Sequence, residues 1–177
     1  MSSWKSYEEI RKDYIRGAEK INPGKGQEIG ETYFFLAGKL LFMKHRFSEH
    51  KKMMRGKDTD KILLRHYLRH FFRDASNAFL DAVILEIVNF LDSNVDARRG
   101  HISLKSFGLY LTDNVLTDKI DEIEIRAIPI IRQRHAFVAH WGRVANLHGQ
   151  TIPISTEDLD GVIELITEVM DYVGENC

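Results

Sequence analysis

Residues 78–91, AFLDAVILEIVNFL, decide the fold. The stretch is apolar almost all round, neither striped nor alternating, which marks a helix enclosed by other helices. It is the second half of a helix predicted over about Thr59–Leu91. Upstream, Tyr33, Leu36, Leu40, Met43 and Phe47 recur at helical spacing and predict a helix over about Gln27–Ser48, followed by a basic connection from Lys51 to Lys57. Further back, Ser6 and Glu9 match a capping box. They open a helix with the stripe Tyr7, Ile10, Tyr14 and Ala18, and Asn22-Pro23-Gly24 closes it. Downstream, SNVDARRGH reads as a loop and ISLKSFGLYL as a short helix. A long helix is predicted to include Ile125–Leu147, with Pro129 beginning or kinking a helical stretch. The last helix opens at Ser155 with acids in its first turn, and carries the stripe Leu159, Val162, Ile166, Val169, Val173. No stretch alternates as a strand does. The expectation is an all-α helical bundle of about five helices. It forms one domain over 1–177, with its core over about 27–175 and the N-terminal helix 6–21 packed upon it.

Composition bounds what such a bundle does. At 177 residues, 44% hydrophobic and 29% charged, the chain can bury a proper core. No apolar run approaches the ~20 residues that span a membrane. The opening MSSWKSYEEIRKDY lacks a signal-peptide core, so the expected location is cytoplasmic, with no membrane partner. The one cysteine, Cys177, rules out an internal disulfide and a cysteine-based zinc site. The net charge of −1 hides a division. Between Lys44 and Arg73 stand ten Lys or Arg against three acids, with four histidines; from Ser155 to Cys177 stand seven acids and no Lys or Arg. Such a chain either presents a basic surface to a polyanion or neutralises itself by packing its two ends together.

Several motifs fail on inspection. His66 and His70 are spaced like a helical metal pair, but the glutamate of that motif is missing and Arg65, Arg69 and Arg73 would repel a cation, so no metal is expected. Asn22-Pro23-Gly24-Lys25-Gly26 lacks the lysine-serine ending of a phosphate loop and reads as a helix connector, leaving no cofactor implied. Arg65, Arg69 and Arg73 form a cationic row with His66 and His70 beside it, spaced about 6 Å apart, which suits a phosphate backbone. The row reads equally well as a solvated face.

The remaining constellation is Arg134-His135-Ala136-Phe137-Val138-Ala139-His140. An arginine with four to six residues before a histidine occurs three times here, against about two expected by chance, so spacing alone carries nothing. Context separates this instance from the pairs Arg65–His70 and Arg143–His148. It follows the apolar run IPII on the penultimate long helix, and Val-Ala precedes the histidine. At this point the sequence resembles the HEPN domain superfamily, in particular its abortive-infection AbiU-like branch. FLDSN, HISLKSFGLYL and STEDLDGVIELI are similar to that branch's flanking regions, so the likeness runs in order from about Glu31 to Val173. The sequence departs from the family's pattern at His135, where Asn or Asp is common, and at Trp141, where an acid or tyrosine is common.

The resemblance implies an up-and-down HEPN-like bundle and metal-independent endoribonuclease activity on RNA such as tRNA or mRNA. In that reading Arg134 grips the phosphate and His140 is the acid-base group, with His135 as a third member or a structural histidine. These residue types suit the chemistry: histidine titrates near neutrality and can take a proton from a ribose 2′-hydroxyl, while arginine stays charged as negative charge builds. The products would be a 2′,3′-cyclic phosphate and a 5′-hydroxyl. Six residues apart on a straight helix, Arg134 and His140 differ by about 120° in direction and 9 Å in height. A kink or a homodimer with a shared cleft is therefore expected, and the dimer is what relatives typically use. The resemblance also implies a setting in antiviral defence or a toxin–antitoxin pair, with an antitoxin or regulatory partner. Two other readings stand beside it: a non-catalytic HEPN-like module binding nucleotide, RNA or protein, and a purely structural helical adaptor.

Overall fold

A computed structural model of the chain describes residues 5–55, 69–92, 102–138 and 154–176. Among them are six helices and no strand: α1 (Tyr7–Ile21), α2 (Gly26–Arg55), α3 (Arg69–Leu91), α4 (Lys105–Gly108), α5 (Asn114–Val138) and α6 (Thr156–Asn176). The protein is an all-α bundle. No helix among the described residues is long and apolar enough to cross a membrane.

Local chemistry starts and stops these helices where the sequence signals them. Ser6 caps α1, accepting from the Glu9 N–H at 3.3 Å, and the Glu9 carboxylate accepts from the Ser6 N–H at 2.6 Å. Those bonds to Ser6 hold the Glu9 carboxyl below its usual range. The chain reverses through Gly24 at φ +85°, a left-handed conformation that favours glycine. The Glu19 carboxylate then accepts from the Gly24 and Gly26 N–H groups at 2.8 and 3.0 Å, satisfying donors where α2 begins. At α6, Ser155 Oγ accepts from the Asp158 N–H at 3.0 Å while Asp158 accepts in return from Ser155. Asp113 serves α5, accepting from the Val115 N–H at 2.8 Å.

Long-range contacts give the topology. His50 near the end of α2 meets Ser76 near the start of α3, and Lys39 and Arg46 flank Glu86 further along, so α2 and α3 run antiparallel. The Leu104 N–H donates to the Phe90 carbonyl at 2.9 Å, which sets the single turn of α4 under the end of α3. Asp113 accepts from the Tyr172 hydroxyl at 2.6 Å and Lys119 meets Glu168, so α5 and α6 are antiparallel. Lys51 bonds Asp160 at 2.7 Å and closes α6 onto α2. Four long helices therefore alternate in direction around a shared core of Leu36, Met43, Ile87, Phe90, Ile123 and Ile166, each burial favourable by about 1.5–3 kcal/mol.

Helix α1 lies outside this ring. It packs antiparallel on the first half of α2, where Tyr7 meets Phe34 edge-on and Tyr14 meets Tyr33. The close approach depends on Gly30, where a Cβ would stand 2.6 Å from the Ile15 Cα. Of the stripe read from the sequence only Ala18 is buried; Tyr7, Ile10 and Tyr14 stay exposed, because a single neighbouring helix covers one side of them. The α6 stripe is buried at all five of its positions. One boundary differs from expectation: the segment 51–55 continues α2, where a basic connection was expected to begin. Of the two readings of Pro129, the one in which it begins a helical stretch falls, since α5 starts at Asn114 with Pro129 well inside it. Pro129 is exposed, on a side where water can reach the Ile125 carbonyl that loses its donor.

Candidate functional site

On α5 the buried positions Leu116, Ile120, Ile123, Ala127 and Ile130 recur every three or four residues and form the core-facing stripe. The next position in that series is Arg134. Its side chain is only partly exposed, and its Nε is buried with no hydrogen-bond acceptor among the described residues. Beside it, Gln133 Oε1 is likewise buried without a donor. A guanidinium thus occupies the place of an aliphatic residue at the mouth of the bundle. Buried polar atoms are paired in most proteins, so two adjacent exceptions are unusual. Arginine cannot relieve the cost by losing its proton. An anion reaching Nε would supply what is missing.

The topology places other sequence-selected residues at the same end. The end of α5, the start of α3, the end of α2 and the start of α6 lie together, because neighbouring long helices alternate in direction. Arg69 is the first residue of α3, and His70 and Arg73 follow on exposed positions of its first turns. Arg73 donates from Nε to Asp74 at 3.3 Å. Lys51 and Lys52 arrive from α2. The junction is fixed by buried His50, whose Nδ1 lies 3.1 Å from the Ser76 carbonyl and 2.9 Å from its hydroxyl, with the ring stacked on Phe47.

Charge at this end is mixed. Glu157, Asp158 and Asp160 open α6, and Lys51 is already paired with Asp160. The Asp158 carboxyl is held below its usual range by the Ser155 side-chain bond first and its backbone bond second. Part of the charge division in the sequence is thus neutralised by packing. At the start of α3, among the described residues, Arg73 meets only its sequence neighbour Asp74.

His140, Arg65 and His66 lie outside the described residues. His135 sits in α5 one residue after Arg134, and its side chain, like that of Arg69, is outside the description. Among the described residues no three His, Cys, Asp or Glu side chains gather where they could hold a metal ion. Two residues were missed by the sequence reading. Gln133 looked like an ordinary polar helix residue, and only its place beside the core stripe singles it out. Phe71 is 65% exposed between His70 and Arg73, where its ring offers a stacking surface for a base; its interleaving with the basic row was visible in the sequence.

No family model matches the chain, and neither a curated protein nor a solved structure was found to be similar to it.

Proposed function

We propose that the chain is a metal-independent endoribonuclease of the HEPN type, acting in phage defence or as the toxin of a toxin–antitoxin pair. Arg134 holds the scissile phosphate and His140 moves the proton, with His135 as an additional phosphate contact or acid-base group. The observation that carries this reading is the Arg134 guanidinium on the core-facing stripe, with a buried Nε that no acceptor serves. Arg69, His70 and Arg73, with Arg65 and His66 preceding them in sequence, guide the RNA backbone to that end of the bundle. Tenancy of RNA, a second copy of the chain and a silencing protein partner belong to the same reading.

The test is to incubate purified protein with total tRNA and mRNA in EDTA and to map the ends. The expected result is cleavage leaving 2′,3′-cyclic phosphate and 5′-hydroxyl termini, abolished in His140→Ala while the variant stays folded. Wild-type cleavage by that variant removes the histidine from the mechanism. Salt-sensitive RNA retention without cleavage favours the non-catalytic binding module, which the unserved Arg134 Nε supports equally. Loss of both leaves the helical adaptor.

A further inference from the structure

The outer face of α2 carries a feature that RNA chemistry does not use. Gly38 is exposed in the middle of this 30-residue helix, and a Cβ placed on it would meet nothing within 4 Å. Unlike Gly30, it is not needed for any close approach within the chain. Alanine would make a better helix here, so the missing side chain needs another reason. The four positions that surround a helix residue on the surface lie three and four residues to either side. Around Gly38 they are Phe34, Phe35, Leu41 and Phe42, all large and apolar. Phe35, Leu41 and Phe42 are 43%, 69% and 64% exposed, and Tyr7, which touches Phe34, is 68% exposed. The result is a socket with a glycine floor and an apolar rim.

We propose that this socket is where a second copy of the chain docks, α2 against α2, antiparallel and crossing at Gly38. Two observations choose that occupant. The first is area. With side chains of about 200 Å² each, those exposures leave roughly 480 Å² of apolar surface open. A standard interface buries about 800 Å² per partner, of which a little over half is apolar, so the patch matches what one copy must bring. The second is charge. Glu28 and Glu31 precede Gly38 by ten and seven residues, and Arg46 follows it by eight. Antiparallel crossing brings Glu28 and Glu31 of one α2 toward Arg46 of the other, whereas parallel crossing opposes like charges. Glu31 and Arg46 each have a partner within the chain, Arg11 of α1 and Glu86 of α3. Since α2 lies diagonally across the bundle from α5, the Arg134 ends point to opposite poles of such a dimer. The contact is therefore separate from the shared cleft that the family resemblance implies, and it stands whether or not the chain cleaves RNA.

The test is sedimentation equilibrium of the full chain without RNA. Wild type should dimerise with a Kd on the order of 1–10 µM. Leu41→Asp with Phe42→Asp, and separately Gly38→Arg, should weaken this more than tenfold while circular dichroism and the melting temperature of the monomer are retained. A wild-type chain that stays monomeric to about 100 µM overturns the proposal. So does a dimer indifferent to both variants, which would place the contact elsewhere and leave the socket to another partner. For the orientation, Phe35→Cys and Leu41→Cys, each with Cys177→Ser, are mixed and oxidised. Mixed disulfides should predominate, and predominant self-coupling of each variant contradicts the antiparallel crossing.

Discussion

Ile130 and Arg134 stand one turn apart on the same face of α5, the first fully buried and the second carrying a buried Nε with no acceptor. The pattern that should end in another aliphatic residue ends in a permanent cation. A position that sacrifices packing for a buried donor without an acceptor is where stability and function are expected to pull apart.

Arg134→Met keeps the length and removes the unserved donor. It should leave stability unchanged or raise it by up to about 1 kcal/mol, since an unpaired buried donor costs about that much or more. Its affinity for a short RNA should fall at least tenfold. Urea denaturation beside an RNA titration checks both, and a strongly destabilised variant would mean that the guanidinium serves the fold.

Two glycines of α2 should respond in opposite directions. Gly30→Ala forces a methyl against the Ile15 backbone and should cost about 1–3 kcal/mol. Gly38→Ala meets only open space and should stabilise the monomer by about 0.5–1 kcal/mol through helix propensity. Chemical denaturation at low protein concentration measures both.

Acid should loosen the joint between α5 and α6. The Tyr172 hydroxyl donates to Asp113 and, ahead of the backbone N–H bonds, holds that carboxyl below its usual range. A carboxyl depressed in the folded state contributes stability that is complete above the ordinary aspartate value, about 3.9, and is lost as pH falls through its folded value. Tyr172→Phe should therefore show a shallower loss of stability below about pH 4 than wild type. Equal slopes in paired acid titrations would contradict the assignment.

Ser6→Ala should remove about 1 kcal/mol from α1 alone. Because α1 packs on α2 and lies outside the ring of four, amide exchange should quicken in residues 7–10 and remain unchanged in α3 and α5.

The fold was legible wherever burial and periodicity coincide. The α6 stripe from Leu159 to Val173 reads directly, and Ser6 and Ser155 announce their helices by local chemistry. The apolar run before Leu91 is a helix as expected, but it is not enclosed all round: Leu85 is 43% exposed on the outer side of α3. A boundary failed where tertiary packing outweighed composition. Residues 51–55 look like a charged connection, yet Lys51 is held in α2 by Asp160 and Phe47. Pro129 left open whether it begins or kinks a helical stretch; it begins none, and on an exposed side water can serve the carbonyl that loses its donor. The site was legible only by residue type. Arg134 was selected through its context, after the apolar run IPII and ahead of Val-Ala-His140, while what distinguishes it physically is its register with Ile130 and the unserved Gln133 Oε1 beside it. That register needs the start of α5, which the sequence did not locate.

The most direct measurement follows the Arg134 side chain itself. In ¹⁵N spectra tuned to arginine side chains, the Arg134 Nε–H resonance, assigned by its absence in Arg134→Lys, should shift when a short RNA is added in EDTA and follow the same titration curve as binding. An Arg134 Nε–H signal that stays unmoved while RNA saturates the protein would show that the guanidinium does not hold phosphate, and the proposed nuclease site would fall with it.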